Sequence, residues 1–195
     1  MAMNTAETRV VEGRHVPPPG TWLIDPTHSD IQFTARHMMI SKARGHFRTF
    51  SGTIHIDEVP ESSYVVATIE AASIDTGDEQ RDRHLRSPDF LDADKFPTIT
   101  FRSTKVEDLG EGKLRVSGDL TIHGVTRPVV LDTEYAGRAQ DPWGNDRAGF
   151  AARAAVDRTD FGLRWNQALE TGGVLVGNKV EIELELEAVA AAKAA

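Results

Sequence analysis

The sequence predicts an all-β protein: a single antiparallel β-barrel of about eight strands with one short helical insert. Two patterns carry that expectation. Apolar and polar residues alternate with period two in segment after segment, so each segment has one face to bury and one for water. No long stretch of helical period is present that could cover a sheet. The length, 195 residues, suits one domain with its own core.

The elements follow in order. Residues 1–19 read as a flexible tail, stiffened at its end by Pro17, Pro18 and Pro19, and Gly20 releases the chain into a domain spanning 20–190. Ile31, Phe33, Ala35 and His37 share a face in the first alternating segment; Phe50, Gly52, Ile54 and Ile56 share one in the second. Val65, Ala67, Ile69 and Ala71 form the third face, and Ile99, Phe101 and Ser103 the fourth. Leu114, Val116, Gly118, Leu120 and Ile122 form the fifth, and Val129, Leu131, Thr133 and Tyr135 the sixth. Ala148, Phe150, Ala152, Ala154 and Val156 form the seventh. The last is the clearest, with Val180, Ile182, Leu184 and Leu186 alternating with Glu181, Glu183, Glu185 and Glu187.

One segment breaks the period. Thr76 to Glu79 reads as a T-x-x-E capping box, so a helix is expected from Gly77 to about Arg86, followed by a short turn from Ser87 through Leu91. Such an insert is a natural plug or lid for one barrel end. Closing the sheet on itself hides the apolar faces and removes the edges, and a barrel of about eight strands is just wide enough for one small ligand or a thin chain. A two-sheet sandwich is the competing architecture.

Composition excludes several function classes. The formal net charge of −8 repels phosphate backbones, so nucleic acid is not an expected partner. Anionic membrane surfaces are disfavoured for the same reason unless a local basic patch exists. With no cysteine, disulfides and thiolate zinc sites are excluded. The first twenty residues show neither the basic start nor the apolar run of a secretory signal, and no run approaches the ~20 apolar residues of a membrane span. A cytoplasmic protein without a membrane span is therefore expected, and a homodimer is left open.

Seven histidines invite a test for chemistry. No H-E-x-x-H, H-x-H or facial-triad spacing appears, so no metal site is expected. His46 and His55 face solvent by alternation. His28, His37 and His123 read either as hydrogen-bonded structural groups or as ligand contacts; His37, on an apolar face, needs a partner in protein or guest. No G-x-S-x-G nucleophile elbow exists, and Gly110-Glu111-Gly112 is a hairpin turn rather than a phosphate loop. Arg81, His84 and their neighbours form either a solvated helix face or a cationic rim for an anionic head group, which Lys42 and Arg44 could join. Trp165 either caps the core or walls a pocket.

Several ordered motifs resemble one family. TWLIDPTHSDIQF (Thr21 to Phe33), RGHFRTFSGTI (Arg44 to Ile54), SIDTGDEQRDRHLRSPDFLDADKFPTITF (Ser73 to Phe101), GDLTIHGVTRPV (Gly118 to Val129) and RTDFG (Arg158 to Gly162) are similar to those of the YceI-like family. These are bacterial lipocalin-like barrels described as polyisoprenoid-binding. The resemblance implies an antiparallel barrel with a helix and a long apolar tunnel, an isoprenoid or other amphipathic lipid as guest, and no catalytic residues to transfer.

The expected function is binding, storage or transport of an isoprenoid lipid, a polyprenyl phosphate or an isoprenoid quinone, with no cofactor other than that guest. The expected contacts are Phe33, His37, Phe50, Ile54, Ile69, Phe101, Leu120, Ile122 and Phe150 on the barrel wall, with Arg81, His84 and Trp165 at its end. Gly52, Ala67, Gly118, Ala152 and Ala154 would leave room inside. The alternatives are a barrel enzyme using His37, His123 and Asp82, and a stress-linked structural barrel filled by its own side chains.

Overall fold

A computed structural model describes residues 9–11, 14–16, 18–170 and 172–191. Its strands are β1 (Arg9–Val11), β2 (Arg14–Val16), β3 (Gly20–Ile24), β4 (Asp30–His37), β5 (Ser41–Phe47), β6 (Phe50–Ile56), β7 (Tyr64–Glu70) and β8 (Ile74–Asp75). The single α-helix, α1 (Glu79–Arg86), is followed by β9 (Thr98–Gly110), β10 (Lys113–Ile122), β11 (Val125–Gln140), β12 (Asp146–Asp157) and β13 (Val176–Ala190). Within the segment expected to be a tail, β1 and β2 pair with each other, and residues 1–8 lie outside the described residues.

Strands β3 to β13 close into an antiparallel barrel of eight staves. Three staves are broken in two. Along one edge of β13, Ala188–Ala190 pair with β3 and Val176–Glu185 pair with β4, so β3 and β4 are successive halves of one stave. β5 and β6 form the next, since β5 pairs with β4 and β6 with β3. β7 and β8 form the third, pairing with β6 and β5. The remaining five staves are continuous, and β12 pairs with the other edge of β13 to complete the ring. The barrel strands form one closed sheet, and the β1–β2 ribbon is only two three-residue strands, so the sandwich alternative is excluded.

The break between β3 and β4 is built by residues 25–29. Glu187 on β13 faces this gap, and its backbone would lose its ladder partners. Ser29 Oγ accepts from the Glu187 N–H at 2.9 Å and donates to the Glu187 carbonyl at 3.2 Å, while the Asp25 N–H donates to the same carbonyl at 2.8 Å. Arg147 gathers the carboxylates around the break: its guanidinium donates to Asp25 at 2.8 Å, Asp141 at 2.8 Å and Glu187 at 2.5 Å.

β3, β5 and β8 fall outside the alternating segments seen in the sequence. β3 is short, β8 has two residues, and β5 carries polar Ser41, Lys42 and Arg44 with a glycine where the wall should be apolar. That glycine, Gly45, pairs with Phe33, whose ring lies where a Cβ would stand. The helix also starts later than the capping box suggested. Asp78 is the N-cap, accepting from the Arg81 N–H at 3.0 Å, whereas Thr76 donates both its N–H and its hydroxyl to the buried Asp82 carboxylate.

Candidate functional site

The inward faces do not fill the barrel. A cavity of about 330 Å³ runs inside it, lined almost entirely by apolar side chains. The alternative of a barrel filled by its own side chains is therefore overturned. Of the expected contacts, Phe33, Phe50, Ile54, Ile69, Phe101, Leu120, Ile122 and Phe150 all line this space. Their strands carry them inward by the period-two rule, and ladder register sets them side by side: Phe50 stands opposite Ile69, and Phe101 opposite Leu120.

Four expected contacts are not among the lining residues. His37 ends β4, where it pairs with Val176 and Ser41 at the rim. Arg81 is turned to its own helix start, donating from Nε to Thr76 Oγ1 at 2.7 Å and from Nη2 to the Thr76 carbonyl at 3.1 Å. His84 bonds Asp89 at 2.8 Å, and its ring meets Trp165 edge-on at 4.6 Å. Phe90 lies against both rings and itself lines the cavity, so His84 and Trp165 form a layer behind the cavity wall. Leu85, Phe90 and Leu91 thus make α1 and its following turn the plug of one barrel end.

Two small residues do not leave the room expected of them. A side chain at Gly118 would meet the Phe101 ring and the Arg102 carbonyl, and one at Gly52 would meet Ile24. Large neighbours already occupy that space. Ala67 and Ala152 do line the cavity.

The sequence reading gave no role to Arg158, which lines the cavity at the plugged end and is 4% exposed. All five guanidinium donors are used: Nε to the Gly177 carbonyl, Nη1 to Leu163 and Trp165, Nη2 to Val176 and the Asn178 amide oxygen. Burial pulls its pKa down, opposed by the nearby Asp157 charge. Asn166 adds two bonds to the Val176 backbone. Together they hold residues 162–170 and 172–178, which have no continuous strand partner, across the barrel end. The hint in the sequence was the arginine opening RTDFG, directly before a turn-rich stretch.

The opposite end is more polar. His55, Asp57, Ser63, Tyr64, Asp108 and Thr133 are among the lining residues there. His55 stacks on Tyr64 at 5.0 Å, and its Nε2 is 3.9 Å from Asp57. Trp22, 3% exposed, packs below with Tyr135, Phe150 and Ala188. Among the described residues, the Tyr135 hydroxyl and Arg138 Nε are buried with no hydrogen-bond partner, while Arg138 Nη2 pairs with Asp146 at 2.6 Å. Burial pushes the Tyr135 pKa up, against the pull of the Arg138 charge.

The residues named for the enzyme alternative are not brought together. His37, His123 and Asp82 do not meet: His123 packs on Phe96 in the β10–β11 turn, Asp82 is bonded to Thr76, and none of the three lines the cavity. Asp25, His28 and Glu187 do place one donor atom each within 4.8 Å of one another. Arg147 already bonds both carboxylates, and its guanidinium, with His28, holds Asp25 well below the usual carboxylate range. No helix among the described residues is long and apolar enough to cross a membrane.

The family model described as the YceI-like domain matches residues 22–188. A UPF0312 protein of Vibrio cholerae is 40% identical over 163 residues, 83% of this chain and 82% of that one. Among solved structures, a YCEI protein of Campylobacter jejuni superposes with a TM-score of 0.69 at 31% identity, covering 80% of this chain and 90% of its own. A polyisoprenoid binding domain from Saccharophagus degradans, implicated in plant cell wall breakdown, superposes at 0.65 with 18% identity, covering 89% of this chain and all of its own.

Proposed function

Because the chain belongs to the YceI-like domain family, we propose that it is a binding protein, not an enzyme, that carries an isoprenoid or similar amphipathic lipid inside its barrel. The observation that carries this reading is the apolar cavity of about 330 Å³ within a closed ring of strands. The guest itself, with no further cofactor, completes the core. Each buried CH₂ contributes ~0.8 kcal/mol, so about ten apolar carbons give ~8 kcal/mol, enough to exceed the lower estimates of association cost.

The head group sits at the polar end, and of the two classes expected from the sequence an uncharged quinone suits it better than a phosphate. Asp57 and Asp108 line that end and oppose an anion. At the other end Arg158 has no N–H left to offer. Native mass spectrometry of the purified protein, before and after delipidation and reloading, tests this. A quinone with an isoprenoid tail should be retained in preference to the polyprenyl phosphate of equal tail length. Retention of neither would refute the carrier reading, and preference for the phosphate would refute the head-group assignment.

A further inference from the structure

Beyond carrying a guest, we infer that the protein docks on anionic lipid bilayers through the tip of its β4–β5 hairpin. Met38, Met39 and Ile40 stand at this tip, and Ile40 is 80% and Met39 55% exposed. Val174 is exposed beside them: the Met38 N–H donates to the Leu175 carbonyl, and a Cβ at Gly173 would contact Met39.

The backbone at the tip is as unusual as its surface. Met38 and Met39 have φ of 51° and 63°, and the Ile40 N–H closes the turn on the His37 carbonyl. These are the two central positions of a left-handed hairpin turn, where Asn-Gly is the unstrained choice. Two methionines there strain the backbone and expose apolar surface at once, a combination that neither stability nor solubility rewards.

Charge identifies what covers it. Arg36 pairs with Lys42 and Thr34 with Arg44, so three exposed cations stand directly behind the apolar tip. Among the described residues, Lys42 alone of these has a carboxylate within bonding distance, Glu181 at 3.3 Å. An apolar tip backed by cations matches the interface of an anionic leaflet, with its oily interior under a negative surface. The other barrel end exposes Trp143, Val59 and Leu109, but beside Asp57 and Asp108, which such a surface repels. The tip is also next to the cavity: Ala35 and Val176, within three residues of it along the chain or ladder, line that space. Docking would bring the plugged end of the barrel to the lipid.

Cosedimentation with phosphatidylcholine–phosphatidylglycerol vesicles, set against pure phosphatidylcholine vesicles, tests the inference. The wild-type protein should pellet with the mixed vesicles, less so at high salt, and weakly with the pure ones. The variant Met38→Asn/Met39→Gly/Ile40→Ser relieves the turn, so its thermal midpoint should hold or rise while vesicle binding falls about tenfold or more. The variant Arg36→Gln/Lys42→Gln/Arg44→Gln should lose the preference for the anionic vesicles. Wild-type protein left in the supernatant, a tip variant that pellets like wild type, or a dimer that buries the tip without vesicle binding would each overturn it. Guest retention is measured separately on the same samples, so loss of guest binding with docking intact sinks only the carrier reading.

Discussion

Ala152→Phe tests whether the cavity is where the guest lies. Ala152 is on β12, between Thr133 of β11 and Leu184 of β13, and its methyl group faces the cavity. A phenyl ring there projects into existing space, so overpacking is small and the fold should tolerate it. The ring displaces about four methylenes of the guest, worth ~3 kcal/mol at ~0.8 kcal/mol each. At 1.4 kcal/mol per decade, that is a loss of about two hundredfold in affinity. Titration of delipidated protein with a quinone of fixed tail length reads the constant directly, and a shorter tail should recover most of the loss. An affinity within threefold of wild type, at unchanged thermal midpoint, would show that the tail does not run past this wall.

Other consequences follow from the contacts that hold the barrel. Arg158→Met removes five donors from an end with few others and should cost about 3 kcal/mol or more, read as the urea midpoint, with Arg158→Lys recovering only part. Gly118→Ala drives a methyl into the Phe101 ring and the Arg102 carbonyl, and should destabilise by about 1–3 kcal/mol in the same assay. Asp25 is held below the usual carboxylate range first by Arg147 and then by His28, and Asp141 by Asn145 and then Arg147. A carboxylate whose folded pKa is depressed stabilises the fold above its unfolded pKa, about 3.9, and loses that contribution as pH falls below it. The thermal midpoint should therefore be flat for these groups above about pH 5 and fall in more acid solution, with a weaker acid-dependent fall in Arg147→Gln.

Period two was enough to read the ring and most of its lining, because a side chain on a ladder has one choice of face. It was not enough where the ladder is broken. β5 was missed because Gly45 leaves its wall to the Phe33 ring, contributed by another strand. The Asp25–Ser29 outpocket was legible as a motif but not as a device, since its partners, Arg147 and Glu187, are more than 110 residues away. Gly52 and Gly118 were read as space because a sequence shows the missing side chain and not the Ile24 or Phe101 that fills the gap. Trp165 was read as a possible pocket wall and His84 as part of a cationic rim, whereas Phe90 stands between both rings and the interior.

The arginines show why charge pattern alone misassigns the plugged end. Its backbone crosses the barrel without a regular ladder, and its carbonyls still need donors. Arg158 serves the carbonyls of Leu163, Trp165, Val176 and Gly177, Arg86 those of Ala72 and Ile74, and Arg81 that of Thr76. Arg158 has no N–H left for an anionic head group, and Arg81 and Arg86 each turn Nε and one Nη2 bond back onto Thr76, Ala72 and Ile74. The cations left facing solvent at this end include Arg36 and Arg44, on the outside of the hairpin. Positive charge at this end therefore acts in two places. Inside, it holds irregular backbone over an apolar space; outside, it backs a strained apolar tip. Under the carrier reading proposed above, that division leaves a guest's polar head to the opposite end, where His55, Ser63 and Thr133 are among the lining residues.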